Sequence, residues 1–290
     1  MILFNKNNMF SNHYYIIRHG DFATNGNKKI LYSLFSLYLS LDDYFHNQYS
    51  IDCFKIMIGS TLVWTLIELF LNKTNTRVIK PMYLYGFRGK IIPIPKYWGI
   101  FLQGFQEGGV VTTFGLYFGD RLHQFSYFVY FHIFILYIII NTNLKKNLPL
   151  NNQGQFPIES RRQVNTISSL IIMGSITAFN TIMFYLYPAH RMRQFTMFFA
   201  MIYVCSIWTM IAYYKNFRNV EVYTKNSLGN YNKKNPSLRD AFLVLGYDVL
   251  FEIGIAYLTF YNWFLLPYFT SISIPSITSS SFTNYFIENK

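Results

Sequence analysis

Six long apolar runs, separated by shorter polar segments, dominate this chain. They lie at 51–71, 98–118, 122–141, 166–187, 195–214 and 241–267. Each approaches or exceeds the roughly 20 residues that a helix needs to cross the hydrocarbon core of a bilayer. A transmembrane barrel would instead show alternating segments of about 10 residues. Because a backbone in lipid must satisfy its own hydrogen bonds, the pattern predicts an all-α, polytopic transmembrane helical bundle with six spans.

A seventh apolar run, Ile30 to Leu41, is shorter and is bounded by charged pairs at both ends. Twelve residues are too few for a comfortable crossing, so an interfacial or re-entrant helix is favoured, and a seventh span stays open. The prediction divides the chain into an N-terminal region at 1–50, the bundle at 51–267 and a Ser/Thr-rich flexible tail at 268–290.

Composition supports a membrane protein, since 52% of the 290 residues are hydrophobic and 13% are charged. A soluble domain carries about 25% charged residues. The net charge of +12 could indicate nucleic acid binding, but the cations lie in loops between apolar runs. That placement is typical of topology signals, so we expect membrane lipids with anionic headgroups as partners and no nucleic acid. Cys53 and Cys205 form no metal-binding or disulfide pattern, and neither a metal nor a cofactor is predicted.

The loops at 72–97, 142–165 and 215–240 contain sixteen Lys and Arg in total, and the opposite side of a six-span protein contains eight. The more basic side is expected to be cytoplasmic, although the sequence does not indicate which membrane is involved. If the run from Ile30 to Leu41 also spans, the N-terminal cations join these loops and the ratio becomes twenty to four.

The second predicted span contains a stripe of small residues. On a helix, Gly104, Gly108, Gly115 and Gly119 fall within one narrow stripe that contains two GxxxG pairs. Small residues allow two helix backbones to approach closely in lipid. The stripe therefore predicts a helix-packing seam, and a possible homo-oligomer formed through it.

Gln103, Gln106 and Glu107 form a neighbouring stripe that faces the bundle interior. A charged carboxylate in the hydrocarbon costs several kcal/mol, and residues of this kind usually serve a function. We therefore predict a proton, ion or substrate site at Glu107. The alternative is a polar clamp in which Gln103 and Glu107 bind a neighbouring helix.

Three further polar residues lie within predicted spans. Asp248 and Glu252 are four apart and share one helix face, so two ionised carboxyls would repel unless they share a proton or a cation. Alternatively, Asp248 reaches headgroup water and Glu252 alone is buried. His132 could bind a metal or relay a proton, or could be a hydrogen-bonded structural histidine.

The segment IIRHGDFATN, Ile16 to Asn25, resembles the N-terminal signature of the histidine phosphatase (phosphoglycerate mutase-like) family. In that family, the residues matching Arg18 and His19 bind phosphate and accept the phosphoryl group. The resemblance covers ten residues, and Asp21 stands where the family usually has Glu. Because that family needs a soluble α/β domain with a second active-site histidine, these roles are not carried over to this chain.

The interior acids slightly favour a transporter or channel-like bundle. A membrane-embedded lipid-modifying enzyme is an alternative, since the basic loops could hold headgroups, but no recognised catalytic spacing supports it. A structural or assembly membrane protein is a third reading, in which the buried polar groups serve packing. The substrate, the reaction and whether the chain is an enzyme at all stay open.

Overall fold

A computed structural model describes residues 12–19, 25–73, 81–86, 90–143, 158–226 and 229–267. Within these ranges the chain is mostly helical, with seven helices and six strands. The predicted flexible tail at 268–290 lies outside the described residues, as do residues 1–11.

The seven helices follow the apolar runs, with one addition at the N-terminus. Two of them, α3 and α7, are each continuous but contain a central π-helical segment. The helices are α1 (Gly26–His46), α2 (Asp52–Lys73), α3 (Lys96–Gly104, π segment Phe105–Val110, Val111–Gly119), α4 (Phe125–Asn143), α5 (Ile167–Leu186), α6 (Arg191–Tyr214) and α7 (Leu238–Tyr247, π segment Asp248–Ile255, Ala256–Phe264).

The predicted count of six spans is not supported. Among the described residues, four helical segments are long and apolar enough to cross a membrane, namely Asp52–Lys73, Ile167–Leu186, Pro188–Tyr214 and Leu238–Phe264. The segment 98–118 lies in α3, where two amides, an acid and five glycines dilute the apolar side chains. The segment 122–141 lies in α4, a shorter apolar helix over Phe125–Tyr137, where its side chains are described.

The short run at 30–41 belongs to a much longer helix, α1, which has 21 residues. Its Asn25 cap accepts a hydrogen bond from the backbone N–H of Lys28, which starts the helix well before the apolar run. One face of α1 buries Ser36, Leu39 and Ser40 beside α2. The bundle core draws buried residues from six helices, among them Leu39, Ile56, Phe114, Phe131, Met197 and Tyr261.

An antiparallel sheet, which the all-α prediction did not include, assembles from three separate parts of the chain. Its strands occur in the order β4-β1-β5-β6, and a separate hairpin pairs β2 with β3. Alternating residues Val220 and Val222 of β5 and Ile16 of β1 pack against Ala241 and Val244 of α7. The strands are β1 (Asn12–His19), β2 (Met82–Tyr85), β3 (Ile91–Ile94), β4 (Ile158–Gln163), β5 (Arg218–Lys225) and β6 (Tyr231–Lys234).

The sheet also shows which connections share one end of the bundle. Strand β1 pairs with β4 from the loop after α4 and with β5 from the loop after α6. A six-span arrangement would place β1 on the opposite side from those loops, so the structure disagrees with it. We call this the sheet end, and the end formed by the short connections at 47–51, 120–124 and 187–190 the turn end.

Candidate functional site

Three arginines of the sheet face the helices. Arg18 of β1 lies opposite Arg218 of β5, and Arg162 of β4 lies opposite Ile16 of β1. Side chains directly across an antiparallel pair share one face of the sheet, and alternate residues return to that face. These arginines therefore share a face with Ile16 and Val220, which pack against α7.

Glu107 receives three hydrogen-bond donors. Arg18 Nη1 lies 3.4 Å from Glu107 Oε1, and Trp64 Nε1 of α2 donates to Glu107 Oε2 at 3.0 Å. Gln103 Nε2, one helical turn earlier in α3, also donates to Glu107 Oε1. Three elements (β1, α2 and α3) therefore meet at this one carboxylate, which combines features of the polar clamp with an ion pair.

The two predicted amides bind a buried lysine. Lys29 Nζ of α1 donates to Gln103 Oε1 and to Gln106 Oε1, both at 2.5 Å. Lys29 is 2% exposed, and both hydrogen bonds from its ammonium group are charge-assisted. The stripe of Gln103, Gln106 and Glu107 thus joins α1 to β1 through α3.

Asp248 and Glu252 share one arginine. Arg162 Nη2 lies 3.1 Å from Asp248 Oδ1 and also contacts Glu252 Oε2, while Arg218 Nη2 contacts Asp248 Oδ2. Burial lowers the pKa of the Arg218 guanidinium below its ordinary value, and the nearby Asp248 opposes that shift. The carboxyl pair is therefore matched by a pair of arginines, and we name these four residues together with Arg18 and Glu107 the sheet-end cluster.

All three acids of the sheet-end cluster lie in π-helical segments. Glu107 lies in Phe105–Val110, and Asp248 and Glu252 lie in Asp248–Ile255. A π segment changes the direction of side chains relative to a regular helix, and such segments are frequent at functional sites. Here each segment lies where its helix meets an arginine of the sheet.

The glycine stripe is covered within the chain. A Cβ on Gly104 would lie 2.2 Å from Thr65 Oγ1, and one on Gly108 would lie 2.5 Å from the carbonyl oxygen of Ser60, both in α2. On the other half of α3, a Cβ on Gly115 or Gly119 would approach Met201 or Met197 of α6 within 3 Å. A homo-oligomer through this stripe stays a prediction, and it would require α2 or α6 to move away.

His132 lies apart from the sheet-end cluster. Its Nδ1 lies 2.8 Å from the carbonyl oxygen of Phe128, and its Nε2 lies 3.5 Å from the Tyr203 hydroxyl. No group of three or more His, Cys, Asp or Glu side chains suited to hold a metal occurs among the described residues. The geometry thus places His132 in a helix-to-helix contact between α4 and α6.

A second group of ion pairs, which sequence analysis did not identify, lies at the turn end. Arg193 of α6 contacts Asp52 of α2 at 2.6 Å and Asp120 at 2.7 Å, and Arg121 contacts Asp43 of α1. We call these five residues the turn-end cluster. Because its members come from the ends of α1, α2 and α6 and from the turn after α3, it joins all three short connections.

The site predicted from the sequence contained acids and amides but none of the cations that bind them. Sequence analysis had counted Arg18, Arg162, Arg218 and Lys29 only as charges that indicate membrane orientation. Period-two alternation in RNVEVYTK, residues 218–225, was the available signal for a strand.

Comparisons with models of protein families, with curated proteins and with solved structures found no match for this chain.

Proposed function

We propose that this chain is a multi-pass integral membrane protein with a structural or assembly role, which holds a basic sheet against one face of the membrane. The single observation that carries the proposal is the sheet-end cluster. Each acid predicted to be functional is paired with an arginine from a strand, so these acids attach the sheet to the helices.

The four long apolar helices support the membrane assignment. The cation distribution supports the orientation, because strands β4, β5 and β6 come from the basic loops and β1 adds the N-terminal cations to the same end. We propose that the sheet end is cytoplasmic.

Cysteine labelling tests the orientation. In a variant with Cys53→Ser and Cys205→Ala, single cysteines are introduced at Lys225 or Lys233 of the sheet and at His123 near the turn end, all exposed positions. A membrane-impermeant maleimide applied to sealed cells should label His123→Cys and leave both sheet positions unlabelled until the membrane is opened. Labelling of all three from the same side would contradict the proposal.

A second experiment tests the structural role. Glu107→Gln removes the ion pair with Arg18, so backbone amide exchange at Arg18 and His19 should accelerate in protein reconstituted in lipid. Glu221→Gln is the matched control, because Glu221 lies on the other face of the sheet with Arg161 and Lys233. Unchanged exchange at Arg18 and His19 in Glu107→Gln would remove the attachment role.

Proton or ion transport is the second candidate function. It is favoured by two carboxyls that share Arg162 within a π segment, an arrangement in which a proton or cation could replace the arginine. Sealed vesicles containing the protein and a pH-sensitive dye would then show pH-dependent flux. Glu107→Gln or Glu252→Gln should abolish that flux while insertion is retained, and a wild-type protein without flux would exclude this candidate.

A further inference from the structure

An apolar groove of about 680 Å³ runs between α5 and α7. Leu170, Gly174, Ala178 and Ile182 line it from α5, and Tyr247 and Phe251 line it from α7. Both helices are long and apolar enough to cross a membrane, and α5 is exposed along most of its length. In a bilayer this groove opens towards hydrocarbon.

The length of the groove matches one leaflet. Leu170 and Ile182 are twelve positions apart, which at a rise of 1.5 Å per residue corresponds to about 18 Å along the helix. Half of the roughly 30 Å hydrocarbon core is about 15 Å. Because α5 begins at the sheet end with Ile167, the groove starts about one helical turn inside that end and extends past the middle of the helix.

A cation lies beside the residues of α7 that line the groove. Arg162 contacts Asp248 and Glu252, which directly follow the groove-lining residues Tyr247 and Phe251. The Arg162 side chain is 50% exposed, whereas Asp248 is 3% and Glu252 is 10% exposed. Arg162 is therefore the most exposed of these three side chains, and a guanidinium can bind a phosphate.

We propose that the groove between α5 and α7 is a phospholipid site, in which one acyl chain fills the groove and Arg162 binds the phosphate of the headgroup. An apolar groove about as long as one leaflet is thick, with the half-exposed Arg162 side chain beside it, complements an anionic phospholipid in both shape and charge. The inference goes beyond the proposed function, because a structural membrane protein needs no individual bound lipid.

Gly174→Leu tests the site with little risk to the fold. A Cβ at Gly174 meets no atom within 4 Å, so a larger side chain can occupy the groove itself. Gly246→Leu in α7 is the matched control, because a Cβ there also meets nothing and Gly246 does not line the groove. Gly174→Ala, with a smaller side chain, should reduce lipid retention less than Gly174→Leu does.

Each variant is purified in mild detergent from vesicles of phosphatidylglycerol and phosphatidylcholine, and the retained lipid is counted by native mass spectrometry. Wild type and Gly246→Leu should retain about one phospholipid per chain, and Gly174→Leu should retain at least fivefold less. Arg162→Gln should lose the preference for phosphatidylglycerol.

Equal lipid retention by Gly174→Leu and Gly246→Leu would overturn the proposal. The proposal would also fall if wild type retained no lipid but formed a dimer that Gly174→Leu abolished, because the groove would then hold a helix of a second copy. If wild type retained phospholipid but showed no preference for phosphatidylglycerol, Arg162 would have no role in binding the headgroup.

Discussion

The two ends of the helical bundle contain the same chemistry in different settings. At the sheet end, arginines of the strands reach the acids of α3 and α7; Arg18 and Arg162 are 34% and 50% exposed, and Arg218 alone of the three is buried. At the turn end, Arg193 is 4% exposed and contacts Asp52 and Asp120 from the helix ends. The sheet-end cluster joins the sheet to the helices, and the turn-end cluster joins the ends of the helices to one another inside the bundle.

The difference matters because exposure sets the energy of an ion pair. An exposed pair contributes little, since water already stabilises both charges and salt screens them. Removing one partner of a buried pair leaves a charge that neither water nor protein satisfies. The turn-end cluster is therefore expected to control the stability of the bundle, and the sheet-end cluster to control how firmly the sheet is attached.

The largest effect is expected for Arg193→Gln. It leaves Asp52 and Asp120 without their guanidinium, which should cost about 3–5 kcal/mol of unfolding free energy, as for other broken buried pairs. Denaturant unfolding in detergent micelles measures the change. The combined variant Arg193→Met with Asp52→Asn and Asp120→Asn should recover much of that loss, and a loss equal to that of Arg193→Gln would contradict the charge explanation.

Arg218→Gln should produce a smaller loss at the sheet end. Arg218 is almost fully buried, but its partner Asp248 keeps a second contact with Arg162. We expect a loss of about 1–3 kcal/mol, the cost of leaving a buried polar group partly unsatisfied. The comparison of the two ends would be wrong if this variant destabilised the helices more than Arg193→Gln does.

Arg18→Gln should change global stability by about 1 kcal/mol or less, because Arg18 is partly exposed to solvent and its contact with Glu107 is long, at 3.4 Å. Its main consequence should be faster amide exchange in β1, with the exchange of the turn end unchanged. Lys55→Gln is a suitable control, since Lys55 lies 3.9 Å from Asp52 in a loose contact at the turn end. Equal exchange in β1 for both variants would argue against attachment by Arg18.

The smallest effect is a pH dependence of sheet stability, which arises at Glu221 on the face of the sheet that points away from the helices. Burial alone would raise the pKa of Glu221, but hydrogen bonds from Lys233 and Arg161 outweigh burial and lower it below the ordinary value. The resulting stabilisation of the sheet is complete above the unfolded-state pKa of about 4.3 and is lost as the pH falls through the folded-state value.

Protection factors of the β5 and β6 amides, which are exchange rates compared with the intrinsic rate at each pH, measure this effect between pH 3 and 6; it should stay at about 1 kcal/mol or less. Glu221→Gln should remove the fall in protection at low pH, and a variant that keeps the full wild-type fall would exclude Glu221 as its source.

Sequence reasoning found the helices and the acids but not their partners. Continuous apolar runs predict helices well, because each helix satisfies its own backbone locally. Glu107, Asp248 and Glu252 were identifiable as acids inside apolar runs, and Asp248 with Glu252 as a pair on one face. Their arginines lie 86 or more residues away in three of the four sheet-end contacts, a separation that periodicity cannot bridge.

The sheet was missed for a related reason. Strands β1, β4 and β5 are six to eight residues long. The charge pattern had assigned the segments of β4 and β5 to loops, and β1 lies in the N-terminal region, for which no strand was predicted. Each strand alone has unpaired backbone groups and becomes stable when the others pair with it. The six-span count failed at the same place, since β1 shares a sheet with the loops from which that count separated it.

The amino-acid sequence alone determined the helical class, the hydrophobic character of the bundle and the positions of its interior acids. These features depend on the apolar content of each segment, which sets its tendency to leave water. The tertiary structure decided which end β1 occupies, which arginine meets which acid, and that a groove lies between α5 and α7. These features depend on contacts between distant segments, whose geometry exists only after the helices have packed.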